Sequence, residues 1–151
     1  MTPSENCFDL IKCFESFRAR AYYCPGRVVT IGYGTTKGVK IGDKITHEEA
    51  IQRLQDEVTQ LSKLVSAAII VDINQNQFDA LVSFAYNVGI TAFRKSTLLR
   101  KLNAGRFDDV PAELLRWSYA NGHFLGGLRE RRKAEGALFI KPYNIDTTLL
   151  H

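Results

Sequence analysis

The segment of residues 20–45 differs from the rest of the chain in composition, and this difference constrains the fold most. It is rich in Tyr, Val, Ile, Thr and Gly, and its run VVTI at residues 28–31 favours a β-strand. Pro25-Gly26 just before that run favours a turn, so two short antiparallel strands are predicted. Four glycines then interrupt the chain: Gly32, Gly34, Gly38 and Gly42. A small, twisted sheet is the expected result.

The sequences on either side of this segment have the apolar spacing of helices. Ser4 is the predicted N-cap of a first helix over residues 5–14. Thr46 and Glu49 form a predicted capping box, in which each side chain reaches the backbone of the other residue. A long amphipathic helix is therefore expected over residues 47–67.

A second capping signal, Asn74 with Gln77, precedes a segment that is apolar on nearly all sides and ends at Gly89. Such a segment is typical of a central buried helix. Three further helices are predicted over residues 96–105, 110–118 and 125–139.

The order of these elements predicts an α+β fold that is mainly helical. The 151 residues suit one domain, 1–151. We expect a β-rich lobe at about 16–46 and a larger helical lobe from 1–15 and 70–151. A helix at about 47–68 connects them, and a cleft lies between the lobes.

Charge and cysteine content narrow the possible partners. The net charge of +4 and a pI near 9.0 favour an anionic partner, such as nucleic acid, an acidic membrane surface or a cell-wall polymer. No apolar run approaches the roughly 18 residues of a membrane span, and no secretory signal is expected from the first residues. The number of cysteines is odd, which argues against a disulfide scaffold; they are Cys7, Cys13 and Cys24. Cys7 and Cys13 are both expected to be buried.

Glu15 is the candidate general acid. It ends the first predicted helix between Phe14 and Phe17, at the margin of the expected cleft. Partial desolvation there favours the protonated carboxyl, which is the form that a general acid needs. The alternative is an ordinary solvated glutamate at a helix end.

The spacing of Glu15, Cys24 and Thr30 supports the catalytic interpretation. Thr30 leads directly into Ile31-Gly32-Tyr33-Gly34. The pattern resembles that of the phage-type lysozymes, or endolysins, of glycoside hydrolase family 24: Glu, eight residues, Asp or Cys, five residues, Thr. The resemblance spans residues 7–139, with further matching blocks at 77–89, 93–99, 116–117, 127–129 and 131–135.

The resemblance implies a lysozyme-like fold and hydrolysis of the β-1,4 bond between N-acetylmuramic acid and N-acetylglucosamine. Glu15 would protonate the departing sugar oxygen. Thr30 would hold the attacking water. The group at Cys24 would either activate this water or stabilise the transition state. Two groups that straddle a water correspond to the inverting arrangement.

Cys24 departs from the aspartate that many relatives carry. An unperturbed thiol, with a pKa of ~8.5, is only about 3% ionised at pH 7. Arg27, close in sequence, would lower that pKa. Three roles stay open for Cys24: base or electrostatic help, covalent attack in a retaining pathway, and a spectator.

The resemblance also implies residues that support the site. Thr36, Tyr86 and Ser96 match substrate-binding positions that line the cleft. An arginine of the last helix (Arg129, Arg131 or Arg132) is expected to pair with Glu15. Ordinary core packing for Tyr86 and a solvated basic face for the arginines are the alternatives.

Other classes of function have less support in the sequence. A non-catalytic peptidoglycan-binding module would not need Glu15 at this spacing. No known motif supports nucleic-acid binding, and none supports a cysteine peptidase that uses Cys24 with His47 or His123. No paired ligand spacing indicates a metal site, and no cofactor is expected.

The expected partner is therefore the glycan strand of peptidoglycan, with no nucleic acid and no stable membrane insertion. A monomer is expected. The resemblance further implies storage in the host cytoplasm, release through a separate pore-forming protein, and action on the wall in the periplasm.

Overall fold

The computed structural model describes residues 1–24 and 28–143, and the predicted Pro25-Gly26 turn lies outside them. The helices are α1 Glu5–Glu15, α2 His47–Ala68, α3 Gln75–Val88, α4 Ile90–Lys95, α5 Thr97–Asn103, α6 Val110–Leu115 and α7 Gly126–Ile140, with a 3₁₀ turn at Phe107–Asp109. The strands are β1 Arg18–Tyr23, β2 Val29–Gly32, β3 Tyr119–Ala120 and β4 His123–Phe124. The predicted α+β, mainly helical class is confirmed.

The predicted hairpin is present as the antiparallel pair β1–β2, with Tyr22 opposite Thr30. The loop after β2 returns alongside β1, where the Ala21 N–H donates to Asp43 and the Ile45 N–H donates to Ala19. These bonds satisfy backbone groups of β1 that the two-stranded sheet leaves unpaired. The β-rich part is thus a small antiparallel unit that connects α1 to α2 along the chain.

Helix α1 begins where predicted, but its capping differs from the expectation. Ser4 occupies the N-cap position, yet its hydroxyl and its N–H both donate to the carboxylate of Asp79 on α3. The hydroxyl therefore docks α1 onto α3 instead of capping the helix. The expectation that Cys7 and Cys13 are both buried is wrong for Cys13, which is exposed. Six residues of helix turn the side chain away from the face that buries Cys7 and Ile11.

Both predicted capping boxes are confirmed. Thr46 accepts from the Glu49 N–H and Glu49 accepts from the Thr46 N–H at the start of α2. Asn74 and Gln77 do the same at the start of α3. Helix α3 is buried throughout its middle, from Phe78 to Ala85, and it packs against α1, α2 and α7. It is the central helix that its composition predicts.

Two features between α3 and α7 differ from the prediction. Helix α4, directly after Gly89, was not expected, and α6 ends at Leu115 before the predicted end at 118. The chain instead forms the β3–β4 hairpin, whose turn residues Asn121 and Gly122 have φ of 52° and 77°. Asn-Gly is the sequence signal for such a turn. No helix in the described part of the chain is long and apolar enough to cross a membrane.

Candidate active site

Glu15 is the last residue of α1, where the chain turns into β1. Ser16 ends the helix with a φ of 56°, which turns the backbone out of the helical path. The Glu15 side chain retains 20% of its exposure, and its Oε1 accepts a 2.8 Å hydrogen bond from Nη1 of Arg131. The predicted pairing with an arginine of the last helix is therefore confirmed, and the partner is Arg131.

Arg131 is itself held in place by α3 and α7. Only 3% of its side chain is exposed. Its Nη2 donates to the backbone oxygen of Ser83 at 3.0 Å, and its Nε donates to Oε2 of Glu135 at 3.2 Å. The guanidinium thus reaches Glu15 from a fixed position, because each of its three nitrogens has an acceptor.

Gly34 brings the loop after β2 against the acid. It has a φ of 89°, and a Cβ at this position would lie 2.8 Å from Oε2 of Glu15. Only glycine allows this backbone conformation and this approach together. The Gly-x-Gly run after Thr30 is the sequence signal for this position, but on its own it predicts no role for Gly34.

Cys24 and Thr30 lie at the end of the hairpin where β1 ends and β2 begins. The Cys24 N–H and the Thr30 hydroxyl both donate to the backbone oxygen of Val28, each at 3.0 Å. Cys24 is half-buried and Thr30 is buried. Arg27, the predicted electrostatic partner of Cys24, lies outside the described residues.

Tyr22 connects the three predicted catalytic residues. It lies opposite Thr30 across the hairpin, and it is close enough to Glu15 and Cys24 for their negative charges to act on its phenol. Burial raises the pKa of the Tyr22 phenol, and the negative charge of Glu15 raises it further. Tyr22 therefore lies near Glu15 as well as near the hairpin residues Cys24 and Thr30.

A groove of about 220 Å³ adjoins Glu15 through Gly34. Its walls come from α2, α3, α4 and the loop after β2: Gly34, Thr36, Glu57, Leu61, Ala85, Tyr86, Gly89 and Ile90. Two of the predicted substrate-binding residues, Thr36 and Tyr86, are among them. The Tyr86 hydroxyl donates to the Tyr33 backbone oxygen at 2.7 Å and lies 3.4 Å from Oε2 of Glu57, so α3, α2 and the loop are tied together here.

Ser96 lies away from this groove. It is buried at the N-cap of α5, where its hydroxyl donates to the Phe93 backbone oxygen and accepts from the Leu99 N–H. Larger depressions lie elsewhere, at residues 105–109 (about 400 Å³) and beside Trp117 (about 280 Å³), and neither is lined by Glu15 or the β1–β2 hairpin. The described residues contain no cluster of three or more His, Cys, Asp or Glu side chains that would hold a metal ion.

Comparison with known proteins identifies relatives over nearly the whole chain. The family described as Phage lysozyme matches residues 12–135. An endolysin of Acyrthosiphon pisum secondary endosymbiont phage 1 is 45% identical over 92% of this chain and 98% of its own length.

Two solved structures are similar in fold and sequence. The muramidase domain of SpmX from Asticaccaulis excentricus has a TM-score of 0.85 and 36% identity, covering 92% of this chain and 97% of that one. An endolysin from Escherichia coli O157:H7 phage FAHEc1 has a TM-score of 0.83 and 38% identity, covering 93% and 94%.

Proposed function

The chain belongs to the phage lysozyme family, and from that premise we propose that it is an endolysin that cleaves the β-1,4 bond between N-acetylmuramic acid and N-acetylglucosamine. Peptidoglycan degradation by a muramidase hydrolase is the activity that its relatives indicate. The observation that carries the proposal is the position of Glu15, which Arg131 holds against Gly34 at the edge of a groove and near Tyr22 of the hairpin that carries Cys24 and Thr30.

Glu15 is the proposed proton donor to the departing sugar oxygen. It sits at the border of buried helices and open groove, so its carboxyl is accessible while its backbone is fixed by α1. Gly34 leaves room for Oε2 against the loop because it has no Cβ, and Arg131 holds Oε1. Proton transfer requires this kind of fixed placement within hydrogen-bond reach of the leaving oxygen.

Thr30 is proposed to orient the attacking water. Its hydroxyl hydrogen is used in the bond to Val28, which leaves the oxygen free to accept a hydrogen from a water. Cys24, whose backbone N–H shares the same Val28 acceptor, lies beside it. We propose that Cys24 has the role that aspartate has in many relatives and that this chain belongs to a cysteine-bearing branch of the family. We also propose an inverting course.

Thr36 and Tyr86 are proposed to contact the glycan in the groove. Ser96, which the resemblance alone matches to a substrate-binding position, lies buried outside this groove. The positive net charge favours capture by an anionic wall. We further propose a single-domain monomer that causes host lysis, with release from the host cytoplasm to the wall through a separate pore-forming protein.

The products of digestion test the bond that is cleaved. Purified peptidoglycan is digested, the new reducing ends are reduced with borohydride, and the sugars are identified after acid hydrolysis. The proposal expects reduced muramic acid. Reduced glucosamine would identify a glucosaminidase, new amino ends a peptidase, and binding without any product a non-catalytic module.

A further inference from the structure

Four charged side chains meet where α1, α3 and α7 pack together, and we call them the charge cluster: Glu15, Arg131, Arg132 and Glu135. Arg132 and Glu135 are fully buried, and Arg131 nearly so. Two positive and two negative groups give a neutral cluster when Glu15 is ionised. Buried charges are costly unless they are paired, so this balance is a built feature of the core.

Glu135 is the centre of this cluster. Its Oε2 accepts from Nε of Arg131 at 3.2 Å and from the Ser83 hydroxyl at 2.7 Å. Its Oε1 lies 2.9 Å from Nε of Arg132, whose Nη2 donates to Oδ1 of Asn87 at 2.7 Å. Glu15 and Glu135 therefore bind the same guanidinium, that of Arg131, from opposite sides.

This arrangement resolves a conflict in the proposed mechanism. A general acid must hold its proton, but a cation 2.8 Å away favours the ionised carboxylate. Resting on the proposed function, we propose that Glu135 is a positioning residue that fixes Arg131 and offsets its charge, so that Arg131 favours the ionised form of Glu15 less than an unopposed cation would.

The other titratable groups that face the cluster do not compete with Glu135. Burial raises the pKa of Cys7 on α1, of Tyr22 on β1 and of Tyr86 on α3, so these groups stay neutral near pH 7. Glu57, beside Tyr86, and the buried Asp79 of α3, which accepts from Ser4 and Gln75, are the other carboxylates on this side. Neither contacts an arginine through any bond of the described residues.

The charges of the cluster itself are set by burial and pairing. Burial lowers the pKa of Arg132 to about 10, which leaves it charged at neutral pH. Burial raises the pKa of Glu135, while Arg132, Arg131 and the Ser83 hydroxyl act in the opposite direction. The net effect is a raised pKa of Glu135, because burial outweighs the two guanidinium contacts and the Ser83 hydroxyl, all of which favour the carboxylate form.

Two substitutions of opposite sign test the proposal. Glu135→Gln removes a negative charge behind Arg131, so Glu15 should lose its proton at lower pH. The alkaline limb of the pH–rate profile should then move down by about one pH unit. Asn87→Asp adds a negative charge beside Arg132 at an exposed position, and the limb should move up by about half a unit.

A purely structural role for Glu135 would lower the rate equally at every pH and leave the limb in place. Glu130→Gln, an exposed glutamate of α7, is the matched control and should not move it. If Glu135→Gln does not fold, Asn87→Asp alone decides. An unmoved limb in Asn87→Asp, or a shift in the wrong direction, would overturn the proposal.

A carbon-13 NMR titration of the Glu15 carboxyl, without substrate, separates this inference from the proposed function. The midpoint of the titration should shift as the limb does, down in Glu135→Gln and up in Asn87→Asp. If these shifts occur in a protein that cleaves no glycan, the proposed function fails and the charge coupling stands. If the wild type cleaves glycan and the midpoints do not move, the coupling fails alone.

Discussion

The two sides of the candidate site are built in different ways. Behind Glu15, helices α3 and α7 hold Arg131 against buried partners, Ser83 and Glu135. On the other side, Cys24 and Thr30 lie on a two-stranded hairpin, where the Cys24 N–H and the Thr30 hydroxyl share the backbone oxygen of Val28. The acid therefore depends on the packing of the whole helical core, whereas the proposed water-handling groups depend on a local hairpin. Changes on the helical side should cost stability, and changes on the hairpin should alter activity alone.

The largest effect is expected on the helical side from Arg132→Met. It leaves the buried Glu135 with one cation in place of two, and an uncompensated buried charge costs about 3–5 kcal/mol. The free energy of unfolding, measured with urea, should fall by that amount. Lys133→Met, at the exposed next residue, should change it by less than about 0.5 kcal/mol. Equal effects of the two substitutions would contradict the comparison.

Gly34→Ala acts at the junction between the two sides. The new Cβ would lie 2.8 Å from Oε2 of Glu15 and displace the carboxyl, so activity should fall about 100-fold. Gly38→Ala is the matched control, since Gly38 also has a positive φ, 71°, but no atom lies within 4 Å of its added Cβ. It should lose about 1–2 kcal/mol of stability through backbone strain and keep its activity. Similar activity losses in both variants would mean that strain, and not contact with Glu15, is responsible.

Cys24→Ala should have the smallest effect on the rate of the substitutions considered. It should also show that a change on the hairpin lowers the rate without lowering stability. Because a thiol is mostly protonated near pH 7, its help is weaker than that of a full general base, and a loss of about 10-fold is expected. The unfolding free energy should change by less than about 1 kcal/mol. Cys24→Asp should restore the rate, and Cys13→Ala, which removes an exposed thiol of α1, should leave it unchanged. Full activity in Cys24→Ala would make Cys24 a spectator.

The sequence predicted the parts of the fold that local signals determine. The capping boxes at Thr46 and Asn74 act within four residues, so they could be predicted without tertiary information. The Asn121-Gly122 turn carried an equally local signal, and the helix prediction through residue 118 obscured it. Cys13 was placed wrongly because composition alone does not show which face of α1 meets the core.

The candidate site also has features that the sequence predicts and features that only tertiary packing determines. The spacing of Glu15, Cys24 and Thr30 is a property of the sequence, and the family resemblance narrowed the partner of Glu15 to three arginines. Only tertiary packing selects Arg131, because Arg132 turns toward Glu135 and Asn87 instead. The position of Gly34 against Glu15 and the link between Ser83 and Glu135 join residues far apart in the chain, and no local pattern encodes them.

The role of Glu15 is tested most directly by comparing wild type, Glu15→Gln and Glu130→Gln for release of reducing ends from purified peptidoglycan. The glutamine oxygen still accepts from Arg131, so circular dichroism and thermal unfolding should show an intact fold. The rate should fall by about 100- to 10,000-fold in Glu15→Gln and stay unchanged in Glu130→Gln. A folded Glu15→Gln variant that releases reducing ends at the wild-type rate would contradict the assignment of Glu15 as the proton donor.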